Sequence, residues 1–156
     1  MLHLVRAFLL SLAMAPSFFA WAGSPVKWSF AAIALKVDTV QVQLNATCEP
    51  GWHIYALTLP SDDGPLPTVV KVDQGTGYAI AGAPGGPVPV EKLDPAFGIL
   101  VHYHEGTATF TQDLLRSGSG PFKVHGYVEY MACNDKTCLP PTREEFNLDI
   151  PPAALK

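Results

Sequence analysis

Cys133 and Cys138 carry the clearest chemistry in this chain. Four polar residues, Asn134, Asp135, Lys136 and Thr137, lie between them, and Leu139-Pro140-Pro141 follows. A disulfide joining the two would close a very small loop, worth only about 2 kcal/mol in the chain-entropy model. Spacing alone leaves two readings open. The pair is an inert hairpin staple, or it is an exchangeable dithiol, since small strained loops hold the more reducible disulfides. Lys136 favours a thiolate and Asp135 opposes one, so composition does not fix the thiol pKa. Pro140 and Pro141 donate no backbone hydrogen bonds, so they end strand pairing and stiffen the exit.

The third cysteine, Cys48, leaves an odd thiol over. It falls on the apolar face of an alternating segment, where a free cysteine behaves as a small hydrophobe. The sharper alternatives are a third redox or metal-binding thiol, or a bond across two sheets that would leave one close cysteine unpaired. His102 and His104 share one strand face and, with Cys133 and Cys138, could make a Cys₂His₂ set. The cysteine spacing sits at the edge of zinc-binding patterns, so the expectation is no metal.

The elements that must position these residues are strands. Val40, Val42, Leu44, Ala46 and Cys48 alternate with Thr39, Gln41, Gln43, Asn45 and Thr47, the period of a half-buried strand. Pro50-Gly51 breaks it, and Trp52 to Leu57 resumes extended structure. Phe122, Val124, Gly126, Val128 and Tyr130 line one face of a second strand, and Phe146, Leu148 and Ile150 make a short last one. Further strands are expected over Val26–Leu35, Thr68–Asp73, Gly98–His104 and Thr107–Leu114. Residues 58–66 and 82–90 read as Pro/Gly loops, and no amphipathic helix stands out. Seven to nine short strands with turn signals between them imply an all-β, immunoglobulin-like antiparallel β-sandwich. The usual immunoglobulin Cys…Trp…Cys arrangement is not evident.

Met1–Ala22 reads as a secretory signal: Arg6 supplies the positive charge, Ala7 to Ala20 the apolar run, and Ala20-Trp21-Ala22 the cleavage pattern. Pro16 and Ser17 interrupt a stretch already short for a membrane span. Cleavage after Ala22 would leave one exported domain, 23–156, with no direct membrane insertion, in a periplasm where disulfides persist. Of ten Lys+Arg and 14 Asp+Glu, the signal takes only Arg6, so the mature chain is acidic. That argues against nucleic acid and anionic membrane surfaces as partners.

Three segments resemble a known family: Gly51-Trp52-His53-Ile54-Tyr55, then Asp94-Pro95-Ala96-Phe97-Gly98 with Tyr103, then Tyr130-Met131-Ala132-Cys133 through Cys138-Leu139-Pro140-Pro141. Their order and spacing are similar to the N-terminal periplasmic domain of the thiol:disulfide interchange protein DsbD, the disulfide bond corrector domain family. The likeness covers nearly all of Gly23–Pro151. It implies an immunoglobulin-like sandwich with a redox-active pair, Cys133 and Cys138. A membrane-embedded thiol reductase would reduce the pair, and the pair would reduce thioredoxin-fold proteins of the periplasm in disulfide isomerisation or cytochrome c maturation. By the same resemblance Cys138 is the interchange thiol and Cys133 the resolving one. A cap loop is implied, with Phe97 as its aromatic residue, or Ala96 under a one-residue shift, and with Pro95 and Gly98 as hinges. His53, Tyr55 and Tyr130 match positions around the cysteines, and Trp52 and Ile54 point into the core.

The chain departs from the family pattern in three ways. Its cysteines are one residue closer than in the familiar enterobacterial form. Cys48 is not part of the family's pair. The membrane and C-terminal thioredoxin-like parts are absent, so the donor is expected in trans. Exchange needs no cofactor, because two cysteines carry both electrons. The rival reading is a non-catalytic exported binding module in which Cys133–Cys138 is a structural disulfide.

Overall fold

The computed structural model describes residues 23–95 and 97–153; the expected signal Met1–Ala22 lies outside them, as does Ala96. The described chain forms β1 (Val26–Ala34), β2 (Thr39–Cys48), β3 (His53–Tyr55), β4 (Val69–Val72), β5 (Tyr78–Gly85), β6 (Val90–Asp94), β7 (Ile99–Glu105), β8 (Thr107–Arg116), β9 (Phe122–Tyr130), β10 (Ala132–Cys133) and β11 (Thr142–Ile150), with no helix among the described residues. They assemble as three antiparallel ladders, β1-β2-β8-β5, β11-β9-β4 and β10-β3-β7-β6.

The period-two pattern does what it implies. Val40, Val42, Leu44, Ala46 and Cys48 on β2 are buried, as are Ala108, Phe110 and Leu114 on β8. They meet Phe122, Val124, Val128 and Tyr130 of β9 and Phe146 and Ile150 of β11 in one apolar core. Each fully buried Leu, Val or Phe contributes roughly 1.5–3 kcal/mol of transfer free energy. Phe110 is wholly buried, its ring 5.9 Å from that of Trp28 and 5.4 Å from that of His104. Gly126 is required where β4 pairs with β9, because a Cβ there would lie 2.2 Å from the Lys71 carbonyl oxygen.

The largest differences from expectation are β5 and β6, where no strand is expected, and the start of β11. Residues 82–90, expected as loop, contain the end of β5 and the start of β6. A register shift between Ala81 and Gly85, with Gly82 at φ 70°, disguises β5. β6 lies at a sheet edge with Val90 to Leu93 all exposed, so no burial imposes alternation on it. β11 begins at Thr142 rather than Phe146, because its first three residues, Thr142-Arg143-Glu144, pair with β9 while remaining largely solvated.

The third ladder positions the cysteines. Ile54 and Ala132 point one way and join the main core, with Trp52 packed against it, as the strand parity implies. Tyr55, Val101, Tyr103 and Cys133 point the other way and form a second, smaller cluster with Leu59, Ile99, Met131 and Cys138.

Candidate functional site

The cysteine turn is a hairpin built by its own polar residues. The Asn134 amide donates to the Thr137 carbonyl at 2.9 Å, and the Leu139 amide donates to the Ala132 carbonyl at 2.8 Å. These two bonds flank Cys133 and Cys138, which therefore face each other at the site of an antiparallel ladder where side chains approach most closely. The amides of Lys136 and Thr137 both donate to Asn134 Oδ1 at 2.9 Å, an Asx turn that closes the loop. Cys133 and Cys138 are joined as a disulfide, with Cα atoms 4.1 Å apart. Cys133 is 1% exposed, whereas Cys138 is half-buried.

Register extends this pairing into a row. Cys138 opposes Cys133, Cys133 opposes His53 on β3, and His53 opposes Glu105 on β7. Directly opposed residues lie on one face of a sheet, so two sulfurs, an imidazole and a carboxylate follow one another across it. The next row on that face is Tyr55, Tyr103 and Val90. A cleft of about 560 Å³ opens over this face, lined by His53, Asp94, Pro95, Phe97, Tyr103, Glu105, Cys138 and the turn between the cysteines.

The hairpin between β6 and β7 stands across that cleft. The Gly98 amide donates to the Asp94 carbonyl at 2.7 Å, and Gly98 takes φ 69°, a left-handed turn position that suits glycine. The buried Asp94 carboxylate anchors the hairpin. Its Oδ2 accepts from the Tyr55 hydroxyl at 3.0 Å and its Oδ1 from the Phe97 amide at 3.4 Å. Phe97 is 38% exposed and lines the same cleft as Cys138.

Electrostatics follow from this burial. Desolvation pushes the Tyr55 hydroxyl pKa well up, and the neighbouring Asp94 carboxylate adds to it. Tyr103 is raised by the same desolvation, with Glu105 adding. Burial lowers the His53 pKa below the ordinary histidine value, against the opposing pull of Asp94 and Glu105. Its ring stands edge-on to Tyr55 at 5.3 Å and tilted to Tyr103 at 5.0 Å.

Of the residues singled out in the sequence, Cys133, Cys138, His53, Tyr55 and Phe97 come together around one cleft and its floor. Tyr130 does not. Strand parity turns it into the main core, where its ring lies 5.3 Å from that of Trp28 and its hydroxyl 3.2 Å from Ser24 Oγ. Cys48 is a free, buried thiol on the main core, and desolvation raises its pKa to about 11. His102 and His104 sit on the face of β7 opposite the cysteine row. His102 pairs with Glu91 at 3.1 Å and His104 is buried against Phe110, so neither joins the cysteines. Among the described residues no group of three or more His, Cys, Asp or Glu could hold a metal ion. Sequence reasoning missed Glu105 and Lys92 as lining residues and Asp94 as an anchor, because their places depend on strand register.

A family model described as "Thiol:disulfide interchange protein DsbD, N-terminal" matches residues 24–150. Two solved structures share the fold, which is immunoglobulin-like. The DsbD N-terminal domain of Neisseria meningitidis in the reduced form is 20% identical over 76% of this chain and 82% of that one, with a TM-score of 0.50. The N-terminal periplasmic domain of ScsB from Proteus mirabilis is 18% identical over 84% of this chain, with a TM-score of 0.60; the match spans 49% of that chain. No curated protein matches the chain.

Proposed function

We propose, for a chain that belongs to the family of DsbD N-terminal domains, that Cys133 and Cys138 are an exchangeable dithiol. The protein would relay electrons from a membrane-embedded thiol reductase to thioredoxin-fold proteins in the periplasm, serving disulfide isomerisation or cytochrome c maturation. Residues 23–156 would be the redox domain and Met1–Ala22 its cleaved signal. The periplasmic setting is supported by the ScsB domain, whose description places it there.

The observation that carries this reading is the unequal exposure of two cysteines held side by side by backbone bonds. In the reduced state the accessible Cys138 thiolate attacks a partner disulfide and forms a mixed disulfide. Cys133 then attacks Cys138 Sγ, and the partner leaves as a dithiol. The flanking hydrogen bonds are backbone bonds separate from the S–S bond, and would hold both sulfurs close through the cycle. Phe97, on a hairpin anchored by Asp94 and turned at Pro95 and Gly98, would cover the pair until a partner docks. Tyr55 serves that hairpin from below, and His53 flanks Cys133. Tyr130 supports the strand that leads into the pair rather than the pair itself.

The reduction potential of the pair tests the reading. A value above about −300 mV, with rapid exchange to a thioredoxin-fold protein, is expected. A value below it, with reduction lowering stability and no productive exchange, would make the disulfide structural and the chain a binding module.

A further inference from the structure

We propose that His53 carries the proton of Cys133 during the resolving step, and that Glu105 positions the imidazole; the inference rests on the dithiol reading above. Cys133 has a problem that Cys138 does not. Its thiol must lose a proton to attack Cys138 Sγ, yet the residue is 1% exposed and bulk water does not reach it. A buried thiol resists ionisation because its charged form is desolvated. Its neighbour across β3 is an imidazole: His53 opposes Cys133 in register, and opposed Cβ atoms lie about 4.5–5.5 Å apart. His53 also lines the cleft, so a proton taken from Cys133 has an exit.

The groups facing the ring come from every neighbouring element. They are Tyr55 on its own strand, Tyr103 and Glu105 on β7, Asp94 and Lys92 on β6, and Asp135 on the cysteine hairpin. Burial outweighs the three carboxylates, so the ring is neutral at neutral pH and free to accept a proton. Glu105 opposes His53 in register on the far side from Cys133, and its charge favours the protonated ring. In the step, the Cys133 proton passes to a His53 ring nitrogen as Cys133 Sγ bonds to Cys138 Sγ. The bond from Cys138 Sγ to the partner sulfur breaks, and that sulfur leaves with the electron pair. It then takes the proton from His53, directly or through water. The cysteine pair is oxidised by two electrons and the partner reduced by two.

A dithionitrobenzoate disulfide probe separates the steps, because each attack releases one coloured thiolate. The first release reports Cys138 and the second reports Cys133; a Cys48→Ala background removes the remaining thiol. His53→Gln is expected to leave the first release unchanged and to slow the second roughly 100-fold at neutral pH, the range of general acid–base assistance. In the parent the second release rises with pH through the His53 titration, and His53→Gln loses that rise. Glu105→Gln removes a charge that favours protonated His53, so it moves the midpoint of that rise to lower pH, which a merely structural role would not do. An unchanged second release in His53→Gln, or equal slowing of both releases, overturns the proposal while leaving the dithiol intact. Absence of any second release in the parent overturns the dithiol reading, and this proposal with it.

Discussion

Cys48 and Cys133 are almost equally buried, at 7% and 1% exposure, yet the structure places them in opposite settings. Cys48 ends a long strand within the main core, its thiol directed at the His104 carbonyl at 4.0 Å and its pKa raised to about 11. No second sulfur is bonded to it. Cys133 lies at the edge of the small third ladder, bonded to a half-buried partner sulfur and next to a cleft. Depth alone therefore does not decide what a thiol does. A second sulfur held opposite, and a neighbouring cleft, distinguish the two regions.

The largest expected effect comes from breaking the redox side of this comparison. Cys138→Ser should abolish electron passage and leave no trapped mixed disulfide, whereas Cys48→Ala should exchange at the parental rate. Normal transfer by Cys138→Ser would sink the dithiol mechanism. The core side is broken by Phe110→Ala, which removes a wholly buried ring and should cost about 3–5 kcal/mol in urea unfolding. A loss under about 1 kcal/mol would mean that the sandwich is held elsewhere.

Reducing the Cys133–Cys138 bond should cost less, about 2 kcal/mol or below, because so small a loop restricts the unfolded chain little. Collapse of the fold on reduction would assign the pair to structure after all. The smallest effect is alkaline. Cys48 has a folded pKa raised from 9.0 to about 11, so its contribution to stability is complete below pH 9 and is lost as pH rises through about 11. Tyr55 is raised in the same sense and adds to the fall above its ordinary value of 10.0. Cys48→Ala should flatten the first part of that decline; an identical pH profile would remove Cys48 from it.

Much of the fold was legible where one strand face is buried and the other wet. β2, β8 and β9 announce themselves by alternation because each has a solvated face. β6 did not, since an exposed edge strand has no face to hide and Val90-Glu91-Lys92-Leu93 carries no pattern. The bulged end of β5 was hidden by the glycines and proline that make the bulge. At the site, Cys133, Cys138, His53, Tyr55 and Phe97 were visible from their segments. Asp94 was visible only as part of a segment; that its carboxylate would hold both Tyr55 and the Phe97 amide depends on tertiary contact. Glu105 was invisible for a related reason, because its place beside His53 follows from β3–β7 register. Tyr130 shows the converse: proximity in sequence to Cys133 does not bring its ring to the cleft, because alternation sends it into the core.

The two prolines after the cysteine hairpin bear on how this surface meets other chains. An open sheet edge is a template on which foreign strands, including those of another copy, can grow into aggregates. Beyond Cys138 and Leu139 the chain has no amide hydrogen at Pro140 or Pro141, and because successive amides point to opposite sides, the outer margin of the cysteine hairpin is denied one donor there. A visiting protein finds a poorer template for strand addition there, and the cleft offers recognition by shape and side chains instead. Transient contact suits the proposed exchange of disulfides with partner proteins.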